Sequence, residues 1–475
     1  MSKTPESIDL ALPARPPNGS LAVWLRQEIC RAIGSGKIRP GTRLPSTREF
    51  ARQHGVSRGT VVKVFEELQV EGYLRSAKGS GTWVDDNLPE RKAGPGRTPQ
   101  PPATYFSGPL EGLTFPLPAR PFRLHEPAIE HFPIREWKRI ASRCLSGSWS
   151  SLLVGRDRYG FEPLRRVIAA YLGTSRGVTC HPDQIFIVTG TQQALDLIAR
   201  LLLKPGQSAL IEDPGYFGAL LAFRNAGALV LPVPVDDQGF DPKKAPSKAR
   251  LAYLTPAHQF PTGITMSVQR RLQVLGWARQ SGCYLVEDDY DSEYRFDQVP
   301  VASLQSLDDS DTVIFVGSFN KLLFPALRIG YMVLPPCLMQ SMTALRFAMD
   351  LNSFGVEQAI LAEFIETGGF ARHLHRMREM YGARLDVLKQ SCSRYLRGAV
   401  KLSSVSAGHF TPAFLLNNLT SRQAEDSAAA HGVESMGLHR FTLEARDPKG
   451  LLLGFTGFDE ASIRQAVVAL TRAIP

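Results

Sequence analysis

The stretch Gly317-Ser318-Phe319-Asn320-Lys321, continued by Leu322-Leu323-Phe324-Pro325-Ala326-Leu327-Arg328-Ile329-Gly330, places an amine and two phosphate-binding groups on one short turn. Apolar neighbours favour the neutral form of Lys321, which can attack an aldehyde and form a Schiff base. Ser318 and Arg328 offer hydroxyl and guanidinium donors, which suit a phosphate. Pyridoxal phosphate (PLP) carries both an aldehyde and a phosphate. Taken alone, the stretch is also typical of a solvated loop.

Acidic and aromatic residues follow an apolar run upstream of this lysine. Tyr284-Leu285-Val286 predicts a buried strand, and Glu287-Asp288-Asp289-Tyr290-Asp291 comes directly after it. Ligands of open α/β sheets bind beyond the carboxyl ends of the strands. A pyridine ring that acts as an electron sink needs a carboxylate at its nitrogen and a phenol near its 3′ oxygen. Asp288 and Tyr290 fit these two roles.

Three further strand-to-loop junctions share this pattern. Residues 185–188 lead into Thr189-Gly190-Thr191-Gln192, where a helix N-terminus offers free amides to a phosphate. Residues 209–211 lead to Asp213-Pro214-Gly215-Tyr216, which supplies an aromatic face. A third loop, residues 255–263, contains His258, for which a place in the pocket and a structural, hydrogen-bonded role remain open.

From about residue 107 to its end, the chain resembles fold-type I aminotransferases, because these motifs and Pro261-Thr262-Gly263 occur in the family's order. The resemblance implies that Lys321 forms an internal aldimine with PLP and that Asp288 pairs with the ring nitrogen. It also implies that Tyr290 approaches the 3′ oxygen and Tyr216 stacks on the ring. The phosphate ligands implied are Gly190, Thr191, Gln192, Ser318 and Arg328.

The amino-terminal part has a different pattern. Apolar residues at helical spacing predict a first helix that ends near Gly34-Ser35-Gly36. After a short basic loop, Ser46 and Glu49 have capping-box spacing and predict a second helix to His54-Gly55. Ser57 is expected to cap a third helix, and two short strands, 72–75 and 81–84, would form a hairpin beyond it. The residues predicted to form the apolar stripe of the third helix are Val61, Val64, Phe65 and Leu68.

Longer phrases make this part similar to the winged helix-turn-helix of GntR-type regulators. They are Pro40-Gly41-Thr42-Arg43-Leu44-Pro45-Ser46-Thr47-Arg48, Val56-Ser57-Arg58-Gly59-Thr60-Val61, Glu71-Gly72-Tyr73-Leu74 and Gly79-Ser80-Gly81-Thr82. The resemblance implies that Arg48, Ser57, Arg58 and Thr60 contact DNA phosphates and base edges in the major groove. It places Gly79 at the wing tip. Arg43 and Lys63 are weaker candidates, since solvated charges would explain them equally.

A GntR-like head followed by an aminotransferase-like body resembles the MocR subfamily of bacterial regulators. The expected fold is multidomain: an N-terminal winged helix-turn-helix (residues 18–86), a Pro/Gly-rich linker (87–106) and an α/β fold-type I aminotransferase-like domain with a small C-terminal α+β subdomain (107–475). The resemblance implies a homodimer whose two heads bind two half-sites of double-stranded operator DNA.

Composition agrees with this assignment. The net charge of +10 and the pI near 9.4 suit a polyanionic partner, without indicating which one. No apolar run long enough to span a bilayer and no signal-peptide core are present, so we expect a cytoplasmic protein that binds no membrane. The six cysteines have no Cys-x-x-Cys pair, which indicates neither a disulfide framework nor a metal site.

Three departures from the enzyme pattern bear on catalysis. Asn320 stands where the family usually has serine, and Gly155-Arg156-Asp157-Arg158-Tyr159-Gly160 lacks the tyrosine and proline of a turn that binds phosphate in the partner subunit. That phosphate contact is missing unless Tyr159 supplies it from a different position. The strand that carries the substrate-carboxylate arginine in transaminases has Leu452 instead, although Arg440 or Arg446 could supply a guanidinium.

We therefore expect a PLP-dependent transcriptional regulator rather than an efficient enzyme. Its body would sense PLP, or an amino compound that forms an aldimine, and reposition the DNA-binding heads. The alternative is a catalytically active amino-acid transaminase with an appended DNA-binding domain. A regulator that has lost the cofactor is a weaker alternative, indicated only by Asn320. The identity of the effector, the operator sequence and the direction of regulation stay open.

Overall fold

The computed structural model of this 475-residue chain describes residues 13, 20–77, 81–88, 118–146, 152, 154, 157–296, 302–350, 355–404, 407–444 and 447–474. The chain divides into two compact units, Met1–Phe106 and Ser107–Pro475. Apart from residues 87 and 88, the predicted linker lies outside the described residues, as does Gly79.

The first unit contains three helices and a small sheet: α1 (Leu21–Gly34), β1 (Arg43–Leu44), α2 (Thr47–His54), α3 (Arg58–Val70), β2 (Leu74–Ala77) and β3 (Gly81–Val84). Ser46 Oγ accepts the amide of Glu49 (3.2 Å), and Ser57 Oγ accepts the amide of Thr60 (3.1 Å), so each helix begins at a capping serine. Gly55 ends α2 with φ +61°, a conformation that glycine adopts without strain. The helix-turn-helix predicted from the sequence is confirmed, and its core includes the predicted stripe of α3.

Two local predictions in this unit were wrong. The loop after α1 contains a strand, because β1 pairs antiparallel with β3 and completes a sheet in the order β1-β3-β2. The second strand begins at Leu74 rather than residue 72, because Gly72 has φ +79° and its amide still bonds the Gln69 carbonyl at the end of α3.

The second unit is built on an eight-stranded sheet with the order β4-β11-β10-β9-β8-β5-β6-β7. Strands β10, β9, β8, β5 and β6 run parallel, whereas β11 is antiparallel to both of its neighbours. The strands are β4 (Ile185–Val188), β5 (Ser208–Asp213), β6 (Leu229–Asp236), β7 (Gly239–Phe240), β8 (Leu251–Leu254), β9 (Tyr284–Asp289), β10 (Val313–Ser318) and β11 (Gly330–Val333).

Helices cover both faces of this sheet. Alternate residues of β10 enter different cores, with Phe315 in one and Ile314 and Val316 in the other, which explains the nearly continuous apolar runs. The helices are α4 (Ile134–Ser146), α5 (Glu162–Arg176), α6 (Thr191–Leu202), α7 (Phe217–Asn225), α8 (Val268–Ser281), α9 (Leu304–Leu307), α10 (Met339–Met349), α11 (Gly355–Glu366) and α12 (Gly369–Tyr395). Short 3₁₀ turns occur at Ile129–His131, Pro182–Gln184, Pro325–Leu327, Pro336–Leu338 and Leu438–Phe441.

A smaller α+β part follows α12, as predicted. It has an antiparallel sheet in the order β12-β13-β15-β14, with two helices. Its elements are β12 (Val400–Leu402), β13 (Phe410–Leu415), α13 (Ser421–Ala430), β14 (Met436–Gly437), β15 (Gly450–Gly454) and α14 (Glu460–Ala473).

The acidic cluster after residue 286 differs from its prediction. Glu287, Asp288 and Asp289 belong to β9 itself, because pairing with β10 continues to Asp289↔Gly317. Successive side chains of a strand point to opposite faces, so Asp288 and Asp289 are directed to different sides of the sheet.

Candidate functional site

A pocket of about 240 Å³ opens at the carboxyl ends of the central strands. It brings together residues at or just beyond the carboxyl ends of β4, β5, β8, β9 and β10, as expected for an open α/β sheet. The lining residues are His125, Thr191, Gln192, Tyr216, Tyr253, Phe260, Asp288, Tyr290, Ser318, Asn320, Lys321, Pro325 and Arg328. Eight of the nine predicted cofactor residues are among them. The ninth, Gly190, is the N-cap residue of α6.

Lys321 lies on the turn after β10, where the preceding Phe319 is fully buried in the core. Its Nζ lies 4.3 Å from the centre of the Tyr290 ring. Burial lowers the pKa of Lys321, while the carboxylates of Asp291 and Asp288 act in the opposite direction. The structure therefore supplies an amine that loses its proton more readily than an exposed lysine.

Asp288 is 3% exposed, and only one of its two carboxylate oxygens has a hydrogen-bond partner among the described residues. Its Oδ2 accepts a hydrogen bond from the Tyr253 hydroxyl at 2.7 Å. Its Oδ1 is buried and has no hydrogen-bond partner among the described residues. Burial raises the pKa of Asp288 to about 6, against the lowering effect of Tyr253 and Lys321. One acceptor is therefore left open on a carboxylate that lines the pocket.

Tyr290 is positioned by a buried network behind the pocket. Its hydroxyl donates to the backbone oxygen of His258 (2.9 Å) and lies 3.1 Å from His258 Nδ1. His258 Nδ1 is 3.1 Å from Asp291 Oδ2, and both side chains are almost fully buried. Although burial alone would raise it, His258 and His409 hold the pKa of Asp291 below its usual range. The structural role left open for His258 is thus the one the geometry supports.

The opposite end of the pocket is rich in hydrogen-bond donors. Gly190 has φ +131°, and a Cβ there would lie 2.8 Å from Asn320 Nδ2 and 3.7 Å from Arg328 Nη2, so the glycine permits close approach. Arg328 has φ +52° and forms no hydrogen bond or ion pair with another described residue. Asn320 Oδ1 accepts the amide of Ile329 at 2.9 Å, which ties the turn together.

Four lining residues were missed by sequence reasoning: His125, Tyr253, Phe260 and Pro325. His125 has φ +63°, and its buried Nδ1 has no hydrogen-bond partner in the described part of the chain. Burial lowers the pKa of His125 well below its usual range, so the imidazole is neutral. Tyr253 could have been predicted, because its hydroxyl is the polar group of an otherwise apolar strand, β8. Nothing in the sequence near His125 indicated that it lines the pocket.

The predicted departures have clear positions. Leu452 is fully buried in an apolar cluster with Phe260 and Tyr290, so that strand brings no guanidinium to the pocket. Arg440 donates to both carboxylate oxygens of Glu425 (2.8 and 2.9 Å) and does not line the pocket. Arg446 lies outside the described residues.

Tyr159 does not line the pocket either. Its ring packs edge to face on Phe186 at 4.9 Å, and the guanidinium of Arg165 lies 5.4 Å from its centre. The phosphate contact left open for Tyr159 is one to the partner subunit, so that role stays a prediction.

The candidate DNA-binding residues lie at the starts of α2 and α3. Arg48, Ser57 and Arg58 are exposed, whereas Thr60 is half-buried. Ser57 Oγ is already engaged, since it accepts the Thr60 amide and lies 2.8 Å from Thr60 Oγ1. The two weaker candidates are also exposed, and the guanidinium of Arg43 lies 5.7 Å from the centre of the Trp83 ring.

The described residues contain neither a membrane-spanning helix nor a metal-binding cluster. No described helix has the length and apolar character needed to cross a membrane. No group of three or more His, Cys, Asp or Glu side chains in the described ranges could hold a metal ion. All six cysteines are free thiols.

Comparisons with known proteins cover both units. Residues 127–431 match the family model "Aminotransferase class I and II", and residues 22–84 match "Bacterial regulatory proteins, gntR family". The probable rhizopine catabolism regulatory protein MocR of Rhizobium meliloti is 36% identical over 94% of this chain and 92% of its own length. The transcriptional regulator TauR of Rhodobacter capsulatus is 35% identical, over 78% of this chain and 80% of its own.

The body also resembles solved aminotransferases. A kynurenine aminotransferase of Pyrococcus horikoshii, solved with PMP, superposes with a TM-score of 0.69 at 27% identity, over 75% of this chain and 91% of that one. The α-aminoadipate aminotransferase LysN of Thermus thermophilus, complexed with N-(5′-phosphopyridoxyl)-L-leucine, gives 0.68 at 29% identity, over 74% and 91%.

Proposed function

The chain belongs to the MocR subfamily of GntR-type regulators, and from this premise we propose that it is a PLP-dependent, DNA-binding transcriptional regulator whose body senses PLP or an amino compound. The family and the fold class predicted from the sequence are confirmed by these matches. The sensing mechanism is the step that we add.

The pocket residues fit PLP. The observation that carries the proposal is the open Oδ1 of buried Asp288, an acceptor for a protonated ring nitrogen. Tyr216 would lie against the ring and Tyr290 near its 3′ oxygen. Lys321 would bond the aldehyde. The phosphate would be held by Ser318, Arg328 and the start of α6 at Gly190, Thr191 and Gln192.

When bound, PLP supplies an aldehyde that exchanges the lysine amine for the amine of a small molecule. Burial of Lys321 lowers its pKa and favours the neutral amine, the form that would bond to the aldehyde. Ionised Asp288 would accept a hydrogen bond from the protonated ring nitrogen and so stabilise its charge. An amino compound that displaces Lys321 frees its side chain, and the resulting change in the body would be transmitted to the heads. The effector shifts this equilibrium only by its different affinity for the two states.

Regulation is favoured over transamination by Leu452. A charge-assisted carboxylate hydrogen bond contributes about 1.5–3 kcal/mol, and an apolar residue at this position removes such contacts. The catalytic alternative is supported by the eight predicted cofactor residues that line the pocket. Turnover of an amino acid and a 2-oxo acid by the purified protein would decide between them.

The proposal extends to DNA and assembly. Residues 18–86 would bind operator DNA through Arg48, Ser57, Arg58 and Thr60, with Gly79 at the wing tip, and residues 87–106 would connect them to the body at 107–475. The exposed arginines and the net charge of +10 support this. A homodimer in the bacterial cytoplasm, with two heads on two half-sites, completes the proposal.

The experiment is an absorbance spectrum of the full-length protein with added PLP, followed by borohydride reduction and peptide mapping. We expect a visible band and a label on Lys321. A label scattered over surface lysines, or no band, would remove the sensing step.

A further inference from the structure

A second cavity, of about 760 Å³, lies in the body, and none of its lining residues lines the cofactor pocket. It is bounded by α5, the end of α11, α12 and the segment 292–296 that follows β9. Pockets that bind small molecules typically have volumes of roughly 300–1,000 Å³. The cavity is therefore large enough for a ligand of its own.

Much of its wall is apolar. Phe370 and Leu374 on α12 are 2% and 5% exposed, and Val167 on α5 and Phe296 are half-buried. Aromatic and branched side chains favour the burial of an apolar ligand body. The ligand therefore needs an aromatic or branched portion.

The charged residues that line the cavity are Arg176, Arg295, Arg378, Glu293 and Glu366. Arg378 is an exposed residue of α12, and its Nε and Nη2 donate to the backbone oxygen of Glu293 at 3.0 and 2.8 Å. It forms no ion pair with any described carboxylate, and a carbonyl oxygen is neutral, so its guanidinium stays open to an anionic ligand. A planar guanidinium in this state favours a carboxylate ligand.

Two neighbouring side chains add open hydrogen-bonding capacity. Glu293 Oε1 accepts the Tyr171 hydroxyl at 2.9 Å, whereas its Oε2 has no hydrogen-bond partner among the described residues. Burial raises the pKa of Glu293 to about 7, so it is protonated more readily than an ordinary glutamate. Ser292 is 4% exposed, and its Oγ is likewise unpartnered in that part of the chain.

The short segment 288–293 contributes side chains to both the cavity and the cofactor pocket. Asp288 and Tyr290 line the cofactor pocket, whereas Ser292 and Glu293 line the second cavity. Between them, Asp289 pairs with Arg176 of the cavity wall at 2.6 Å, and both side chains are 3% exposed. A ligand that moves residues 292–293 therefore acts on the same short segment that positions Asp288.

We propose that this cavity is a second ligand site, which binds a small monocarboxylate with an aromatic or branched apolar body and affects cofactor affinity through residues 288–293. The site does not depend on the regulatory role proposed above.

The probe is 4-fluorophenylacetate, observed by fluorine NMR with the full-length protein saturated with PLP. We expect saturable binding and weaker binding of the uncharged 4-fluorobenzyl alcohol. Arg378→Gln should weaken probe binding about tenfold, because a charge-assisted contact is lost. Ala371→Trp, on the exposed face of α12, should block the cavity without removing a charge. The matched control is Arg394→Gln, an exposed arginine on the same helix outside the cavity.

Absence of saturable binding would overturn the site, as would binding that neither Arg378→Gln nor Ala371→Trp weakens. The coupling is measured as the PLP dissociation constant with and without saturating probe. We expect the probe to change the PLP dissociation constant at least twofold, and Ala371→Trp to abolish this change. Because coupling between two sites is reciprocal, PLP should change probe affinity by the same factor. An unchanged PLP dissociation constant would overturn the coupling. A change that persists in Ala371→Trp would also overturn it, because the probe would then be competing with PLP in the cofactor pocket.

Discussion

The amine of Lys321 lies 4.3 Å from the centre of the Tyr290 ring, whose hydroxyl is fixed by the backbone oxygen of His258 at 2.9 Å. The ring face stabilises the charged amine, whereas burial favours the neutral one. Burial lowers the pKa of Lys321 by more than the carboxylates of Asp291 and Asp288 raise it. Tyr290 therefore holds the amine in place while its surroundings keep it reactive.

Replacing this amine gives the first prediction. Lys321→Ala should abolish the visible PLP band and the borohydride-trapped label, because no other lysine lines the pocket in the described structure. The control is Lys401→Ala, at an exposed position of β12, which should leave both unchanged. If Lys321→Ala also keeps normal DNA binding and effector response, the sensing step is wrong.

The raised pKa of Asp288 predicts a pH dependence of the cofactor-free protein. The folded value of about 6 exceeds the unfolded value of about 4, so stability is lost as the pH rises and the buried carboxyl must ionise. Asp288→Asn removes this cost. The variant should therefore have a higher free energy of unfolding than the unmodified protein, and the difference should be about 1 kcal/mol larger at pH 8 than at pH 5.

Urea denaturation at the two pH values measures this difference. If Asp288→Asn changes the free energy of unfolding equally at pH 5 and pH 8, the pKa of Asp288 is not raised in the folded protein. The same variant should bind PLP more weakly, because an amide does not offset the charge of a protonated ring nitrogen.

The head gives a third prediction. Arg58→Ala and Arg48→Ala should each weaken operator binding about tenfold to a hundredfold, because each removes an exposed guanidinium from the start of a helix of the helix-turn-helix. Fluorescence anisotropy at several salt concentrations separates their contacts, since losing a phosphate contact lowers the salt slope by about one. Arg31→Ala, which removes an exposed arginine paired with Glu28 on α1, should leave affinity unchanged. An equal loss in that control would indicate a general effect of charge.

Ser57 combines a structural and a proposed recognition role, and two substitutions separate them. Ser57→Ala should destabilise the head by about 1 kcal/mol, because the Thr60 amide loses its cap. Ser57→Asn should restore thermal stability, since asparagine is an equally good cap. If DNA affinity recovers fully with Ser57→Asn, the serine acts as a cap and its contact with DNA is not needed.

The sequence predicted the residues whose position follows from local rules. Thr191, Tyr216 and Asp288 lie at or just beyond the carboxyl ends of strands in one sheet, so strand identification was enough to group them. Tyr253 reaches Asp288 only because β8 pairs with β9 in the register Tyr253↔Val286, which no local pattern specifies.

His125 shows the same limit more strongly. It enters the pocket from the segment before α4, in a left-handed conformation that a non-glycine residue rarely adopts. The position of His125 depends on how the segment before α4 packs beside strands that are distant from it in sequence. The second cavity was unpredictable for a similar reason, because it forms between α5, α12 and a strand end that are far apart in the chain.

Asn320 gives the last prediction, because the structure supplies a reason for this departure from the family. Its Oδ1 accepts the backbone amide of Ile329 at 2.9 Å, whereas its backbone amide donates to Ser318 Oγ at 3.3 Å. The side chain thus ties the start of the turn to Ile329, next to Arg328, whose left-handed backbone needs such support.

Asn320→Ala should weaken PLP binding about fivefold to tenfold, the equivalent of one lost hydrogen bond, while Lys321 still traps the cofactor. Spectral titration with PLP measures the affinity, and Asn225→Ala, at the exposed end of α7, is the control. Undiminished affinity in Asn320→Ala would mean that the turn holds Arg328 without this bond. A loss of PLP affinity in Asn320→Ala but not in Asn225→Ala would show that the asparagine supports the phosphate site. That result would argue against the alternative in which the regulator no longer binds PLP.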